Sequence, residues 1–373
     1  MNIFFDGLDI RTEAFDFLNG SNKKIFSIPR EKPFLNSSRH CLPYPFFPFI
    51  NFVYYPKKLI EENSIELIYA FKVFPLNKIP WIADVEEFHY LNAFYSFFHK
   101  NDFFSGKMHF LAKNIIKKGI SNSYCKKIVP WSEYSKKTIV FFGGKKLEEK
   151  TTVCYPAVNP SERKRKEKEK ISLLFVATNP VYKGTEFVFP AFRELRKKFD
   201  VELNCFGNFS EKTKKMFPEI NFGFASAKDF SEKILPENDI LLMPSLMESF
   251  GFTALQAFSS SIPVVSSDVM ALPEINQDNK TGFLIRFPDW YHKKLFLNPY
   301  SFFSESKKLD KTKIVSKLTE KTSLLIEDSS LRKTFGRNAL NETEKGKFSM
   351  KQRKKSMDEI IEDTASSSHK NFH

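Results

Sequence analysis

The segment from Asp239 to Ala257 constrains the fold of this chain more than any other. It begins with an apolar run typical of a buried strand, Asp239–Met243, passes through a turn that holds Glu248 and Gly251, and enters a stretch rich in Ala, Leu and Phe that predicts a helix. The N-terminus of a helix presents unpaired N–H groups and a positive dipole end, which suit a phosphate. Glycine at position 251 lets a ligand approach the backbone closely. The segment therefore predicts a strand, a loop and a helix that together bind an anion.

Strand-like and helix-like runs alternate along the rest of the chain. This alternation predicts an α/β fold with parallel sheets and right-handed crossovers. The predicted strands are Glu66–Phe71, Lys78–Val85, Lys126–Ser132, Thr151–Pro156, Ile171–Ala177, Val201–Gly207, Asp239–Met243 and Ile262–Ser267. The predicted helices are Met108–Lys118, Glu133–Val140, Gly184–Lys198 and Met350–Glu362, and Ser132 is expected to cap the second of them.

A charged segment without apolar periodicity, residues 159–170, divides the chain into two α/β halves. A length of 373 residues fits two domains of ordinary size. We expect an N-terminal domain over 1–158, the linker over 159–170 and a C-terminal domain over 171–345. A helix over 346–363 is expected to pack back toward the N-terminal domain, followed by a disordered tail over 364–373.

The composition narrows the classes of partner and site. The formal net charge of +14 favours anionic partners, namely nucleic acid, anionic lipid or phosphorylated substrates, although a lysine-rich composition that only keeps the protein dissolved remains an alternative. The four cysteines form no C-x-x-C pair, so neither a zinc site nor a disulfide framework is expected. The N-terminus lacks the pattern of a signal peptide, and no apolar run reaches the ~20 residues of a membrane span. We expect a cytoplasmic protein with peripheral contact at the inner face of the membrane.

The run from Pro244 to Ala257 resembles the nucleotide-sugar signature of retaining glycosyltransferases of the GT-B fold, the family 4 kind (glycosyl transferases group 1). That signature reads P-S-x-x-E-x-F-G-x-x-x-x-E-A. Glu248 matches its first glutamate, and Gln256 stands at the second. Further matches follow in the family's order, at Lys183-Gly184, Ser261–Asp268, Ala271–Ile275 and Thr281–Leu284.

The sequence departs from the family pattern at four places, and the first is Gln256, which replaces the second glutamate of the signature. Thr178 stands where the family has an arginine that binds the donor diphosphate, and Met270-Ala271 replaces a glycine pair, so this loop is expected to lie further from the donor. The usual glycine-rich loop after the first strand is not visible. These departures leave open whether the donor site is complete.

The resemblance implies two Rossmann-like domains that face each other across a cleft. It implies transfer of a sugar from a nucleoside-diphosphate sugar to an acceptor hydroxyl, with retention of configuration, no metal, and no cofactor besides the donor. Glu248 and Lys183 are the implied catalytic residues. The implied donor-binding residues are Thr178, Lys183, Gly184, Ser249, Phe250, Gly251, Phe252 and Gln256.

Two further catalytic candidates follow the predicted strand Lys78–Val85. They are Glu86 and His89, with Asp84 beside them; a histidine there would bind a sugar hydroxyl or shuttle a proton, and a packing or surface histidine is the alternative.

Three classes of function therefore remain at this point. The first is a glycosyltransferase that acts on a sugar or a lipid-linked acceptor. The second is a catalytically weakened GT-B scaffold that binds a ligand or a membrane surface. Nucleic-acid binding is the third class, and we do not expect it because no aromatic and basic RNA-binding motif is present.

Overall fold

The structure is a computed structural model that describes residues 1–7, 24–27, 52–71, 73–91, 113–161 and 170–369. The chain divides into two compact units. The first unit comprises Met1–Pro156 and Met350–His373, and the second comprises Ala157–Ser349. Most of the predicted linker, 162–169, lies outside the described residues, as do residues 370–373 of the predicted tail.

The first unit is built on a parallel sheet of five strands. Its strands are β1 (Asn2–Gly7), β2 (Lys24–Ser27), β4 (Leu67–Phe71), β6 (Trp81–Val85) and β7 (Cys125–Pro130), and a separate pair joins β3 (Phe52–Val53) to β5 (Phe74–Pro75). The order across the main sheet is β2-β1-β4-β6-β7. Its helices are α1 (Lys57–Glu62), α2 (113–121) and α3 (Glu133–Gly143), with 3₁₀ turns at Phe88–Leu91 and Lys145–Lys150. Residues 108–112 of the predicted helix Met108–Lys118 lie outside the described residues.

Local sequence signals explain the ends of α3. The Ser132 hydroxyl accepts a hydrogen bond of 3.0 Å from the Ser135 N–H, which confirms the predicted cap. Gly144 ends the helix with a φ of +107°, a conformation that glycine adopts without strain.

The predicted strand Thr151–Pro156 is wrong. The segment forms one isolated bridge, between Thr151 and Ile128, and no regular ladder, although the N–H groups of Thr152 and Cys154 each donate a hydrogen bond of 3.0 Å to a carbonyl of β7. The carbonyls of Cys154 and Tyr155 accept instead from the Arg353 guanidinium, at 3.1 Å and 2.9 Å. These backbone groups are satisfied by a side chain, so no further strand is needed to pair them.

The second unit is built on a parallel sheet of six strands. They are β8 (Ile171–Ala177), β9 (Val201–Gly207), β10 (Asn221–Gly223), β11 (Ile240–Met243), β12 (Val264–Ser267) and β13 (Gly282–Ile285). Its helices are α4 (Thr185–Arg196), α5 (Glu211–Met216), α6 (Ala227–Asp229), α7 (Phe252–Ser259), α8 (Leu272–Ile275), α9 (Asp289–Leu297), α10 (Phe302–Ser306), α11 (Lys311–Glu327) and α12 (Ser329–Glu344). A π turn at Phe230–Ile234 and 3₁₀ turns at Leu235–Glu237 and Pro299–Ser301 complete it.

The strand order of this second sheet is β10-β9-β8-β11-β12-β13. The chain starts at β8 in the middle, builds β9 and β10 on one side, and then crosses back to place β11 on the other side of β8. This is the Rossmann order, and it creates a topological switch point between β8 and β11. The apolar run of β8 explains its central place, because a central parallel strand is covered on both faces.

A terminal helix, α13 (Met350–His369), packs on the first unit through a buried charge network. The Arg353 side chain is fully buried, and its Nη2 lies 3.6 Å from Asp84 Oδ2. Asp84 also accepts hydrogen bonds from the Tyr69 hydroxyl and the Trp131 indole. Burial raises the pKa of Asp84, while Arg353 and the two hydrogen bonds oppose that shift. The helix extends six residues past the predicted boundary at 363, into the segment that was expected to be disordered.

Within the described ranges, no helix combines the length and the apolar character needed to cross a bilayer.

Candidate active site

The candidate site lies at the switch point of the second sheet. The loop 178–184 leaves the carboxyl end of β8, and the loop 244–251 leaves the carboxyl end of the adjacent strand β11. In open α/β sheets, ligands bind beyond the carboxyl ends of the strands, at the point where the strand order reverses. The topology therefore brings together two loops that lie 60 to 70 residues apart in the sequence.

The structure brings the two principal predicted residues into contact. The Lys183 ammonium donates a hydrogen bond to Glu248 Oε2, and the Ser245 hydroxyl lies 3.5 Å from the same oxygen. The two side chains are partly accessible, with 19% and 12% of their surface exposed. A cation and an anion that meet at a loop edge and still reach solvent can exchange partners when a ligand enters.

Backbone contacts hold the two loops together. The Leu246 N–H donates to the Tyr182 carbonyl at 2.7 Å. Gly184 has a φ of +78°, and a Cβ atom there would lie 2.1 Å from the Pro244 carbonyl oxygen. Only glycine permits this approach, which explains why a glycine follows Lys183. The Tyr291 hydroxyl donates to the Leu246 carbonyl at 3.0 Å and fixes the loop from the other side.

Gly251 forms the N-cap of α7. Its φ is +111°, and an added Cβ would lie 2.9 Å from Leu272 Cδ2. The first N–H groups of a helix have no partner within the helix, so the start of α7 supplies donors to the site. Ser249, Phe250 and Phe252 are buried, so the two phenylalanine rings contribute to the core, 5.5 Å apart, rather than to a ligand surface.

Gln256 and Thr178 lie where the family's second glutamate and its arginine are expected. Gln256 is partly exposed on α7, one turn past its start. Thr178 is exposed at the end of β8, and its carbonyl accepts a hydrogen bond of 3.1 Å from Asn208 Nδ2. A threonine carries no charge, so position 178 adds no cation to the one that Lys183 provides.

Met270 adopts a left-handed backbone with a φ of +52° where the family has glycine. Its side chain is buried, at 7% exposure. The loop thus keeps a conformation that glycine adopts more easily than methionine.

One candidate residue was missed by the sequence analysis. Phe224 directly follows β10 and is 82% exposed. It lies at the same edge of the sheet as the loops after β8 and β11. Three strand spacings separate β10 from β11, or about 14 Å at 4.7–4.9 Å per spacing. No local sequence pattern marks such a residue, because its exposure depends on the tertiary fold.

The His89 ring is buried among aromatic side chains of the first unit. It is 2% exposed, and its backbone N–H donates to Glu87 Oε2 at 2.8 Å. Its ring packs on Phe142 with the centroids 4.7 Å apart. The acid beside His89 is Glu87 and not Glu86, which is only half-buried. The catalytic roles of His89 and Glu86 stay predictions, and the burial of His89 favours a packing role.

Residues 170–293 match the protein family described as Glycosyl transferases group 1. The match covers about a third of the chain, and this part is similar to group 1 glycosyltransferases. It contains Lys183, Glu248, Gly251 and Gln256, so the family match covers every predicted donor-binding residue.

Similar proteins support this assignment. A Klebsiella pneumoniae protein, described as an uncharacterized 41.2 kDa protein in the cps region, is 33% identical over 129 residues. That match covers 33% of this chain and 35% of the relative, so it spans only about a third of either protein.

Solved structures match nearly the whole chain. Anabaena HepE in complex with UDP and glucose has a TM-score of 0.62 at 11% identity, with 97% of this chain and 99% of that chain covered. WaaG, a glycosyltransferase involved in lipopolysaccharide biosynthesis, has a TM-score of 0.62 at 13% identity, with 96% and 99% covered. Identities this low establish the fold alone. The chain has the GT-B fold, as its sequence predicted.

Proposed function

We propose that this protein is a glycosyltransferase that moves a sugar from a nucleoside-diphosphate sugar to an acceptor hydroxyl. One observation carries the proposal: the Lys183 ammonium and the Glu248 carboxylate meet at the switch point, beside the N-terminus of α7. A diphosphate and a sugar ring need a cation, N–H donors and a hydroxyl acceptor, and these groups supply all three.

Lys183 and the first amides of α7 would bind the diphosphate. As the bond between the sugar C1 and the diphosphate oxygen breaks, negative charge grows on that oxygen, and fixed donors stabilise it. The acceptor oxygen forms the new bond to C1, and its proton leaves with the departing diphosphate. Glu248 would accept hydrogen bonds from sugar hydroxyls and so hold C1 in place.

The existing ion pair suggests how the donor enters. In the described structure Lys183 and Glu248 compensate each other. When the donor binds, Lys183 gains the phosphates and Glu248 gains the sugar hydroxyls, so neither group is left without a partner. This exchange lowers the penalty for separating two partly buried groups.

Gln256 would bind the ribose. A carboxylate accepts from two ribose hydroxyls with charge assistance, whereas the amide oxygen accepts without it. The difference is about 1–2 kcal/mol of donor binding, which is roughly a tenfold change in Kd.

Phe224 would stack on the base. It is exposed at the carboxyl edge of the sheet, and the distance of about 14 Å from β11 suits a nucleotide that extends from base to diphosphate. UDP in the similar HepE complex makes uracil the first base to test.

The acceptor is proposed to be a glycan or a lipid-linked sugar of the cell envelope. Support comes from the Klebsiella relative in the cps region and from WaaG, which acts in lipopolysaccharide biosynthesis. A weakened scaffold is not favoured, because WaaG is a glycosyltransferase and Lys183 and Glu248 are both in place. Retention of configuration and independence from a metal stay predictions, tested by the anomer of the product and by activity in EDTA.

A thermal-shift screen over UDP-sugars tests the proposal. A ligand that binds only the native state raises Tm, so one or more donors should stabilise the wild type. Lys183→Met and Glu248→Gln should lose that stabilisation, and Lys197→Met, at the far end of α4, should keep it. A screen in which no nucleotide or nucleotide sugar shifts Tm would count against the proposal.

A further inference from the structure

A cavity of about 580 Å³ lies among the helices of the second unit, and neither Lys183 nor Glu248 lines it. The loop before α4, the outward face of α4, the end of α5 and the segment from α10 to the start of α11 form its walls. Ligand pockets in proteins span about 300–1,000 Å³, so this volume suits a small molecule. The apolar residues that line it are Val181, Phe189, Pro190, Met216, Phe217 and Phe303.

Three of these apolar side chains are unusually exposed for their type. Val181, Met216 and Phe303 are 49%, 57% and 41% exposed. They come from three separate segments of the chain, yet they meet at one cavity. Scattered exposed apolar residues are common, whereas a contiguous group around a hollow indicates a binding site.

The wall formed by α5 is fixed in place. The Arg193 guanidinium stacks on the Phe217 ring at 4.5 Å and also pairs with Glu219 at 2.9 Å. Its Nη2 donates to the Met216 carbonyl at 3.3 Å. On the opposite wall, the Thr185 hydroxyl donates to the Pro180 carbonyl at 2.8 Å. The cavity therefore does not depend on a ligand to order its walls.

The charged groups of the cavity leave a net positive charge. Lys311 pairs with Glu186, so these two charges cancel. Lys307 lies 4.5 Å from the centroid of the Phe303 ring and has no carboxylate within ion-pair distance among the described residues. An ammonium on an aromatic ring at the edge of an apolar cavity can bind an anion while the hollow beside it takes an apolar chain.

We propose that this cavity binds an anionic amphiphile, with one alkyl chain against Met216, Phe217 and Phe303 and the anionic group on Lys307. The apolar side chains give an alkyl chain its contact surface, and the polar lining residues are Thr185, Glu186, Thr213, Ser306, Lys307 and Lys311. The charge on Lys307 distinguishes the proposed ligand from a neutral hydrocarbon. A free fatty acid and an anionic phospholipid share this chemistry.

Binding of dansyl-undecanoate, followed by fluorescence, tests the proposal with the full chain. We expect saturable binding at one site, displaced by decanoate and about tenfold more weakly by decan-1-ol. Met216→Asp should weaken binding at least about tenfold, since a carboxylate then stands in the apolar wall. Met216 is exposed at the end of α5, so the variant is expected to fold, and its Tm checks this.

Two further variants separate the parts of the site. Lys307→Glu should weaken decanoate and leave decan-1-ol unchanged. Leu324→Asp is the matched control, since Leu324 is 39% exposed on α11 and does not line the cavity. It should bind the probe as the wild type does. Equal binding by the wild type and Met216→Asp, or no saturable binding at all, overturns the proposal.

Vesicles distinguish the source of the ligand. The ligand is an anionic phospholipid if the protein sediments with phosphatidylcholine vesicles that contain phosphatidylglycerol. In that case Met216→Asp should reduce the sedimentation and Leu324→Asp should not. Binding of decanoate without such sedimentation supports a free amphiphile.

Discussion

Removing the Lys183 charge tests the assignment of the diphosphate site. Lys183→Met deletes the ammonium and keeps most of the apolar stem. The Lys183 side chain is 19% exposed and that of its partner Glu248 is 12% exposed, so both lie in a partly desolvated site. A hydrogen bond to a charged group contributes about 1.5–3 kcal/mol there. We therefore expect the Kd of UDP to rise about 10- to 150-fold.

Part of this loss comes from Glu248 itself. Without Lys183, its carboxylate faces an incoming diphosphate with no cation beside it. Glu248→Gln in the Lys183→Met background removes that repulsion. The double variant should therefore lose less binding free energy for UDP than the two single variants lose in sum. Coupling between contacting residues is typically 0.5–3 kcal/mol.

Isothermal titration with UDP, in buffer with EDTA, measures all four proteins of the cycle. Lys197→Met is the control, because Lys197 lies at the opposite end of α4 and is 66% exposed. If Lys183→Met binds UDP as tightly as the wild type and the control, the ammonium does not touch the diphosphate and the reasoning fails.

Three further predictions concern other parts of the chain. Gln256→Glu should tighten UDP binding about tenfold, measured by the same titration, since it restores the charge-assisted contact to ribose; unchanged or weaker binding would place the ribose elsewhere. Arg353→Met should lower the free energy of unfolding by about 3–5 kcal/mol in urea, because Asp84 is left buried without its cation, and Asp84→Asn in that background should recover part of the loss. A hydrogen bond that the His292 ring donates to Asp268 raises the pKa of His292, so this pair stabilises the fold below about pH 6.5 and the contribution is lost as the pH rises through the raised pKa. As the pH rises from below 6.5 through the raised pKa, the melting temperature of Asp268→Asn should fall less than that of the wild type. The same dependence of melting temperature on pH in both proteins would refute the assignment.

Four of the six strands of the second sheet, β8, β9, β11 and β12, could be predicted because they are short and clearly bounded. The strands β10 and β13 were not predicted. The predicted bounds of β8 and β9 match the structure: β8 is a nearly continuous apolar run, and β9 alternates apolar with polar residues and ends at a glycine. Lys183 contacts Glu248 because their loops follow adjacent strands, β8 and β11. The sequence does not give this adjacency, because it depends on the order of the strands in the sheet.

The charge network of the first unit could not be predicted for a physical reason. Arg353 stands in a helix rich in lysine and glutamate, where a surface position is the ordinary expectation. Its burial depends on Asp84 and on the carbonyls of Cys154 and Tyr155, which are about 200 to 270 residues away in the sequence. For the same reason the sequence places Asp84 only beside the candidates Glu86 and His89, whereas the structure shows a fully buried partner of Arg353.

A crystal structure with a bound UDP-sugar tests the central claim most directly. The account predicts a diphosphate oxygen within hydrogen-bond distance of Lys183 Nζ and of an amide at the start of α7, with a sugar hydroxyl on the Glu248 carboxylate. The Lys183–Glu248 contact should be broken or lengthened by the ligand. A donor bound at another edge of the sheet, with that ion pair intact, would contradict the account.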